Sequence, residues 1–283
     1  MKNKFNIYSM LLVTSMFFFQ YSYSQPNAGS ITDKNMALGN PSNAKADTTF
    51  TDNYLMVKPQ YSLSYNNLKH IPNWVSWHVG STDLGDVKRP KSDPFRADNT
   101  LPASWYQVTP ADYKNSGFDK GHQCPSGDRT DNTTNNSITF LMSNMIPQAP
   151  KNNQITWKNL EDYSRTLVAQ GNELFIICGV YGQAGTGKKG AASSIGHGVV
   201  VPAKTWKIIV VVPANNKVTA STRVIAVLMP NTQDCSKQPW YSYRVPVNTI
   251  EQLTGYDFLS NVPKNIQKII EAKVDTVTVK SGK

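Results

Sequence analysis

Asp119-Lys120-Gly121-His122, continuing through Gln123-Cys124-Pro125-Ser126-Gly127-Asp128-Arg129, is the stretch on which the reading of this chain turns. A histidine set between a glycine and a proline among polar residues belongs on a turn or an exposed strand end rather than in a packed core. The other three histidines have ordinary readings: His78 lies within a strand pattern, His70 in a polar loop and His197 between glycines. Downstream, Ser143-Asn144-Met145-Ile146-Pro147-Gln148 runs into Asn152-Asn153-Gln154 and then a helical pattern. From Asn152 to Gln170 the residues Trp157, Leu160, Tyr163 and Leu167 make one stripe, and Gly171 stands where helices are often closed. Asn153 alone reads as a helix cap, and Glu161 with Arg165, four apart, as a surface ion pair.

Working outward, Asn73–Gly80 alternates aromatic or branched residues with polar ones, as a half-buried strand does. Residues Ile138–Met142 read as a short buried strand. Further strands are expected over Leu174–Cys178, Val199–Val201, Trp206–Val212 and Thr222–Leu228, several too apolar for surface edges. Ile250–Leu253 reads as one helical turn and Val262–Ala272 as a C-terminal helix. No regular β-α-β alternation occurs. The expected class is therefore α+β, with a mainly antiparallel central sheet flanked by helices.

The ends are separable. Lys2 and Lys4 precede an apolar run from Ile7 to Phe19, and Ser22-Tyr23-Ser24 supplies small residues for cleavage after Ser24. Residues 1–24 thus read as a secretory signal peptide, the run being short for a membrane span of ~20 residues. Residues 25–52 are rich in Asn, Ser, Thr and Ala and read as a linker or loosely docked arm. The domain is expected over residues 53–275, with a frayed tail at 276–283. A secreted or periplasmic location follows, without stable membrane association once the signal is gone. Hydrophobic residues at 39% and charged residues at 17% allow a sizeable core and argue against wholesale disorder,. Loss of residues 1–24 removes two lysines and no acids, lowering the formal charge from +10 to +8. Such a charge permits nucleic acid, other polyanions or mere solubility. Of the three cysteines, Cys178 and Cys235 would form the disulfide if there is one, and three free thiols are the alternative; Cys124 follows His122 closely. Their spacing does not suggest a zinc site.

Taken together, the two motifs resemble the DNA/RNA non-specific endonuclease family, whose core is the ββα-metal finger. The family's Asp-Arg-Gly-His is matched by Asp119-Lys120-Gly121-His122. Its run from Ser-Asn-x-x-Pro-Gln to Asn-x-x-x-Trp-x-x-Leu-Glu is matched by Ser143 through Glu161. The similarity extends from about Tyr54 to Ala272, including Thr205-Trp206-Lys207. It implies that His122 is the general base activating water, that Asn153 is the one direct protein ligand to a divalent metal, and that Glu161 holds metal-bound water. It further implies that Arg89 clamps phosphate, that Arg165 lies on the substrate side, and that Asn144 supports the site. Mg²⁺ is the expected ion, with Mn²⁺ as substitute. DNA and RNA, single- and double-stranded, are the expected substrates, cut to 5′-phosphate products. One departure is Lys120 in place of arginine, which keeps charge but loses the planar fork that grips phosphate bidentately.

The residue types suit that chemistry. A phosphodiester needs a water with a proton acceptor, neutralisation of developing charge and help for the leaving oxygen. An imidazole supplies the first and a metal the others. A single carboxamide ligand fits Mg²⁺, which keeps several waters. On a regular helix Asn153 and Glu161 would sit ~12 Å apart along the axis and ~80° apart around it, so Glu161 is expected to act through water. Lys88, Arg89, Lys91, Arg96, Lys120, Arg129 and Arg165 are the candidate cations for backbone phosphates, which carry no sequence information. A non-catalytic nucleic-acid or polyanion binding protein is the alternative function. Whether a protein inhibitor exists is left open.

Overall fold

The computed structural model describes residues 34–279, so the expected signal peptide and residues 280–283 lie outside the described residues. All described residues fall within one compact unit, Thr32–Lys283. Its centre is a six-stranded sheet of β1 (Tyr54–Val57), β2 (Ser62–Asn66), β3 (Ile71–Val79), β6 (Asn172–Tyr181), β11 (Lys204–Pro213) and β12 (Arg223–Pro230), in that order across the sheet. Every neighbouring pair is antiparallel. A separate two-stranded ribbon pairs β4 (Asp119–His122) with β5 (Met145–Gln148), Asp119 facing Gln148 and His122 facing Met145. Two small hairpins, β7 (Gly185–Gly187) with β8 (Gly190–Ala192) and β9 (Ser194–Ile195) with β10 (Val199–Val200), complete the strands.

Helices cover both faces of the sheet, which is why its inner strands read as continuous apolar runs. Helix α2 (Lys158–Ala169) buries Leu160, Leu167 and Val168 against a face that includes Trp77, Ile176, Cys178, Ile209 and Val227. Helices α3 (Val247–Thr254) and α4 (Lys264–Ile270) close the other face over Trp74, Trp206, Ile208 and Val210. A third cluster, with Tyr113, Phe118, Met145 and Ile146, packs beneath the β4–β5 ribbon. The expected antiparallel sheet flanked by helices is thus the observed architecture.

Several local expectations are corrected. Ile138–Met142 is not a strand. Residues Thr133–Ile138 form helix α1, capped by Asn132, whose side chain accepts from the Asn135 backbone N–H at 2.9 Å. Leu141 keeps only an isolated bridge to Arg96. The expected helix from Asn152 begins instead with a π-helical stretch, Asn152–Trp157, before α2. Its wider i→i+5 winding removes the regular-helix spacing between Asn153 and Glu161. At the far end Gly171 takes a positive φ of 86°, the left-handed geometry that ends such helices,.

The described part of the arm, residues 34–52, is not loosely docked. Asn35 donates its side-chain amide to the carbonyls of Lys58 and Pro59, and Trp74 Nε1 donates to Ser42 Oγ at 2.8 Å. The start of the described part of the tail, residues 276–279, is likewise tied: Arg244 donates to the Val277 carbonyl and to that of Asp275 just before it, and Arg223 pairs with Asp275. All three cysteines are free and buried, so there is no Cys178–Cys235 bridge. Among the described residues no helix is long and apolar enough to cross a membrane.

Candidate active site

The ribbon and the start of α2 meet at a cleft of about 900 Å³ lined by Arg89, Asp93, Phe95, Asp119, Lys120, His122, Asn153, Glu161 and Arg165, with Pro110, Tyr113 and Lys114 also on its walls. His122, Asn153 and Glu161 therefore share one cavity, and no other histidine lines it. Tight strand pairing brings them there. A Cβ on Gly121 would lie 2.2 Å from Gln148 Oε1 and 2.6 Å from its Cβ, so only glycine lets β4 approach β5 this closely.

His122 ends β4 as expected, but it is buried rather than exposed. Its ring packs against Phe95 and Phe140, with centroids 5.2 and 5.0 Å away, and its Nε2 has no hydrogen-bond partner among the described residues. Burial, and secondarily the nearby Arg89 guanidinium, lowers its pKa to about 3. The imidazole is therefore neutral at neutral pH, the form that can accept a proton.

Asn153 is not a cap. Its Nδ2 donates to Asp119 Oδ2 at 2.9 Å, and Gln154 Nε2 donates to the same oxygen at 2.7 Å. An ionised carboxylate only accepts, so Asp119 fixes which end of the Asn153 carboxamide it faces and leaves Oδ1 as the end free for a cation. Glu161 does not pair with Arg165. Its Oε1 lies 3.6 Å from the ammonium of the fully buried Lys207. Burial pushes the Glu161 carboxyl up to about 7, Lys207 opposing that shift. Arg165 instead pairs with Asp128 at 2.9 Å and with Asp162. A Cβ on Gly127 would crowd its guanidinium at 2.8 Å.

The remaining candidates divide. Arg89 stacks over Phe140 and Phe95, 5.0 and 5.7 Å from their ring centres, with no carboxylate in ion-pair range among the described residues. Lys120 lies over Phe95 at 4.5 Å and pairs with Asp93 at 2.8 Å. Arg129 does not belong to the cleft. It is buried and donates to the carbonyls of Gln60, His78 and Asp128. Its role is to hold the fold, and the expectation that it binds substrate is corrected. Arg96, donating to the Ser137 carbonyl, is similarly structural. Asn144 is fully buried and works from behind: its Oδ1 accepts from the Cys124 N–H at 3.0 Å, and its Nδ2 donates to the carbonyls of Cys124 and Thr139 at 2.8 Å. It thereby closes the base of the excursion between β4 and β5.

Two residues that the motifs include receive no role from the sequence. Asp128 accepts from Trp77 Nε1 at 3.0 Å as well as from Arg165. Lys207 is a cation set within the apolar run of β11, between Trp206 and Ile208, a signal that could have singled it out.

Asn153, Glu161 and Asp119 fit a hydrated divalent cation. Among the described residues no group of three or more His, Cys, Asp or Glu could cage a metal. That donor set suits an oxygen-preferring ion that retains its waters more than zinc.

A ββα ribbon-and-helix carrying a histidine, an asparagine and a glutamate into one basic cleft defines a nuclease fold, and the chain belongs to the DNA/RNA non-specific endonuclease family, whose profile matches residues 38–265. It is 52% identical over 244 residues to a nuclease of Nostoc sp. (strain PCC 7120 / SAG 25.82 / UTEX 2576), covering 85% of each chain. Human mitochondrial Endonuclease G is 30% identical over 214 residues, covering 74% of this chain and 70% of that one. A chain of the crystal structure of the EndoG/EndoGI complex, described as the mechanism of EndoG inhibition, superposes with a TM-score of 0.69 at 25% identity. That match covers 84% of this chain and 94% of the other.

Proposed function

We propose that the protein is a secreted or periplasmic, Mg²⁺-dependent endonuclease that hydrolyses phosphodiester bonds of DNA and RNA with little sequence preference, leaving 5′-phosphate ends. The observation that carries this reading is the shared cleft of a neutral, caged imidazole, a carboxamide oriented by Asp119 and an unpaired Arg89.

His122 takes a proton from the attacking water, its ring held by Phe95 and Phe140. Asn153 Oδ1 would hold the ion directly, and Glu161 would accept hydrogen bonds from waters around it. The ion, when bound, polarises the phosphoryl group and stabilises the departing 3′ oxygen. Arg89 and Lys120 grip the phosphate, and Arg165, held by Asp128, shapes the substrate side. Water attacks, so no ribose 2′-hydroxyl is needed and both nucleic acids are substrates. Mn²⁺ is proposed to replace Mg²⁺. The likeness to a chain of the EndoG/EndoGI complex supports including a protein inhibitor among its partners.

Digestion of plasmid and ribosomal RNA with Mg²⁺, with Mn²⁺ and with EDTA tests the reading. We expect cutting of both substrates with either ion and none with EDTA. A general base contributes about 10²–10⁴-fold, so His122→Asn should lose that much while still binding DNA. Salt-sensitive binding without cleavage in the wild type would instead make the protein a polyanion-binding module.

A further inference from the structure

Lys207 lies midway along β11, the strand next to the β12 edge of the sheet, paired across to Cys178 on β6 and Val227 on β12. Its side chain is 1% exposed. An ammonium so deeply buried is rare unless paired, and the only carboxylate within ion-pair range among the described residues is Glu161, at 3.6 Å. The same ammonium sits over two indole rings, 4.2 Å from the centre of Trp157 and 5.5 Å from that of Trp77. Those rings are not passive neighbours. Trp157 is the last residue of the π-helical stretch that carries Asn153. Trp77 donates its Nε1 to Asp128, the carboxylate that holds Arg165.

From this arrangement we infer that Lys207 is a positioning residue for the cation site: its ammonium, fixed beneath the cleft by Trp157 and Trp77, holds Glu161 at the angle at which it engages the hydrated ion. This rests on the nuclease reading above. A lysine here is expensive to bury, and a methionine of similar length would fill the space at lower desolvation cost. The cost is offset by function, because one charge registers the sheet against both the π-helical stretch and α2. Lys207 touches neither substrate nor ion and acts through Glu161.

The test compares wild type, Lys207→Met, Glu161→Gln and the double variant in the full chain. Two quantities are read: Mn²⁺ affinity by isothermal titration of the protein with the metal alone, and the Mg²⁺ concentration giving half-maximal plasmid nicking. Loss of a residue that orients a metal-site group costs about 10–100-fold in metal affinity. Lys207→Met should therefore weaken Mn²⁺ binding and raise the Mg²⁺ requirement by about tenfold or more. In the Glu161→Gln background it should add less than about twofold, since the group it orients is gone. Equal effects in both backgrounds, or unchanged metal affinity in the single variant, overturn the inference.

Lys207→Arg guards against misfolding of the methionine variant. It keeps the charge but not the ammonium's compact shape, so it should retain part of the Mn²⁺ affinity that Lys207→Gln loses. A folded Lys207→Arg protein that loses as much Mn²⁺ affinity as Lys207→Gln counts against the inference. If the wild type itself neither binds Mn²⁺ nor cuts, the nuclease reading falls and this inference with it. If the wild type cuts and the variants match it, this inference alone falls.

Discussion

Replacing Asp119 by asparagine isolates the device that aims Asn153. The wild-type carboxylate can only accept, and it receives both Asn153 Nδ2 at 2.9 Å and Gln154 Nε2 at 2.7 Å. An asparagine at 119 has the same shape but offers a donor as readily as an acceptor. The Asn153 carboxamide can then turn over and present its amide nitrogen where the cation should be. Hydrogen bonds to charged groups contribute about 1.5–3 kcal/mol. The Gln154 bond is exposed and contributes less, so the loss falls mainly on Asn153. At about 1.36 kcal/mol per tenfold change, the Mg²⁺ concentration for half-maximal activity should rise about 10- to 150-fold. Initial rates of plasmid nicking across a Mg²⁺ series measure this directly, with Asn153→Ala as the upper reference. Activity at saturating Mg²⁺ should recover to within about tenfold of wild type, because mass action repopulates the correctly turned carboxamide. An unchanged Mg²⁺ requirement accompanied by a lower maximal rate would refute the reasoning. Asp119 would then act on the reaction itself and not through the ligand.

Two further perturbations separate scaffold from site. Arg129→Ala strips donors from the buried carbonyls of Gln60, His78 and Asp128, which should cost about 1–3 kcal/mol of stability for each acceptor left unsatisfied; the melting temperature should drop clearly while the salt dependence of DNA binding stays as in wild type, and the reverse pattern would return Arg129 to the substrate. Glu271, 6% exposed, has its carboxyl pushed up to about 7 by burial and by Glu251 and Asp257. A raised folded-state pKa gives stability that is fully present below the unfolded value near 4.5 and is lost as pH rises through 7,. Glu271→Gln should therefore flatten the fall in unfolding free energy between about pH 5 and pH 8, by ~1–3 kcal/mol, and parallel wild-type and variant curves from denaturant titrations would contradict that.

The legibility of the chain follows how locally each feature is encoded. Asp119, His122, Asn153 and Glu161 lie in two short ordered motifs, so their convergence needed only the β4–β5 pairing and the helix that follows. The inner strands were legible because covering both faces leaves unbroken apolar runs such as residues 206–212. Strand β2 was hidden by its composition: Ser62, Ser64 and Asn66 are buried, and Ser64 and Asn66 meet Asn53 and Asn73 in a hydrogen-bonded network that no hydrophobic pattern announces. The same holds for residues 34–52, whose polar side chains make specific bonds to the sheet, although their composition is that of a linker. Arginine shows the limit most clearly. Arg89, Arg129 and Arg165 look equivalent in sequence, but one ends on aromatic rings, one on buried carbonyls and one on two carboxylates.

Those partners also rank the cations as phosphate ligands. An incoming phosphate must compete with whatever a cation already holds. Exposed ion pairs contribute about 0–1 kcal/mol, and Asp93 is 57% exposed, so Lys120 can exchange Asp93 for phosphate at little cost. Arg165 cannot release Asp128 in the same way, because that carboxylate is 3% exposed and would be left buried with only Trp77 Nε1 to satisfy it. Arg89 gives up no carboxylate at all. Its partners are the rings of Phe95 and Phe140, the same two that cage His122. Under the proposed function, the aromatic pair would therefore set the distance between His122 and the least encumbered cation, and a phosphate seated on Arg89 would be brought against His122 by the packing of those rings. In this cleft the phenylalanines determine geometry that charge alone would leave undefined.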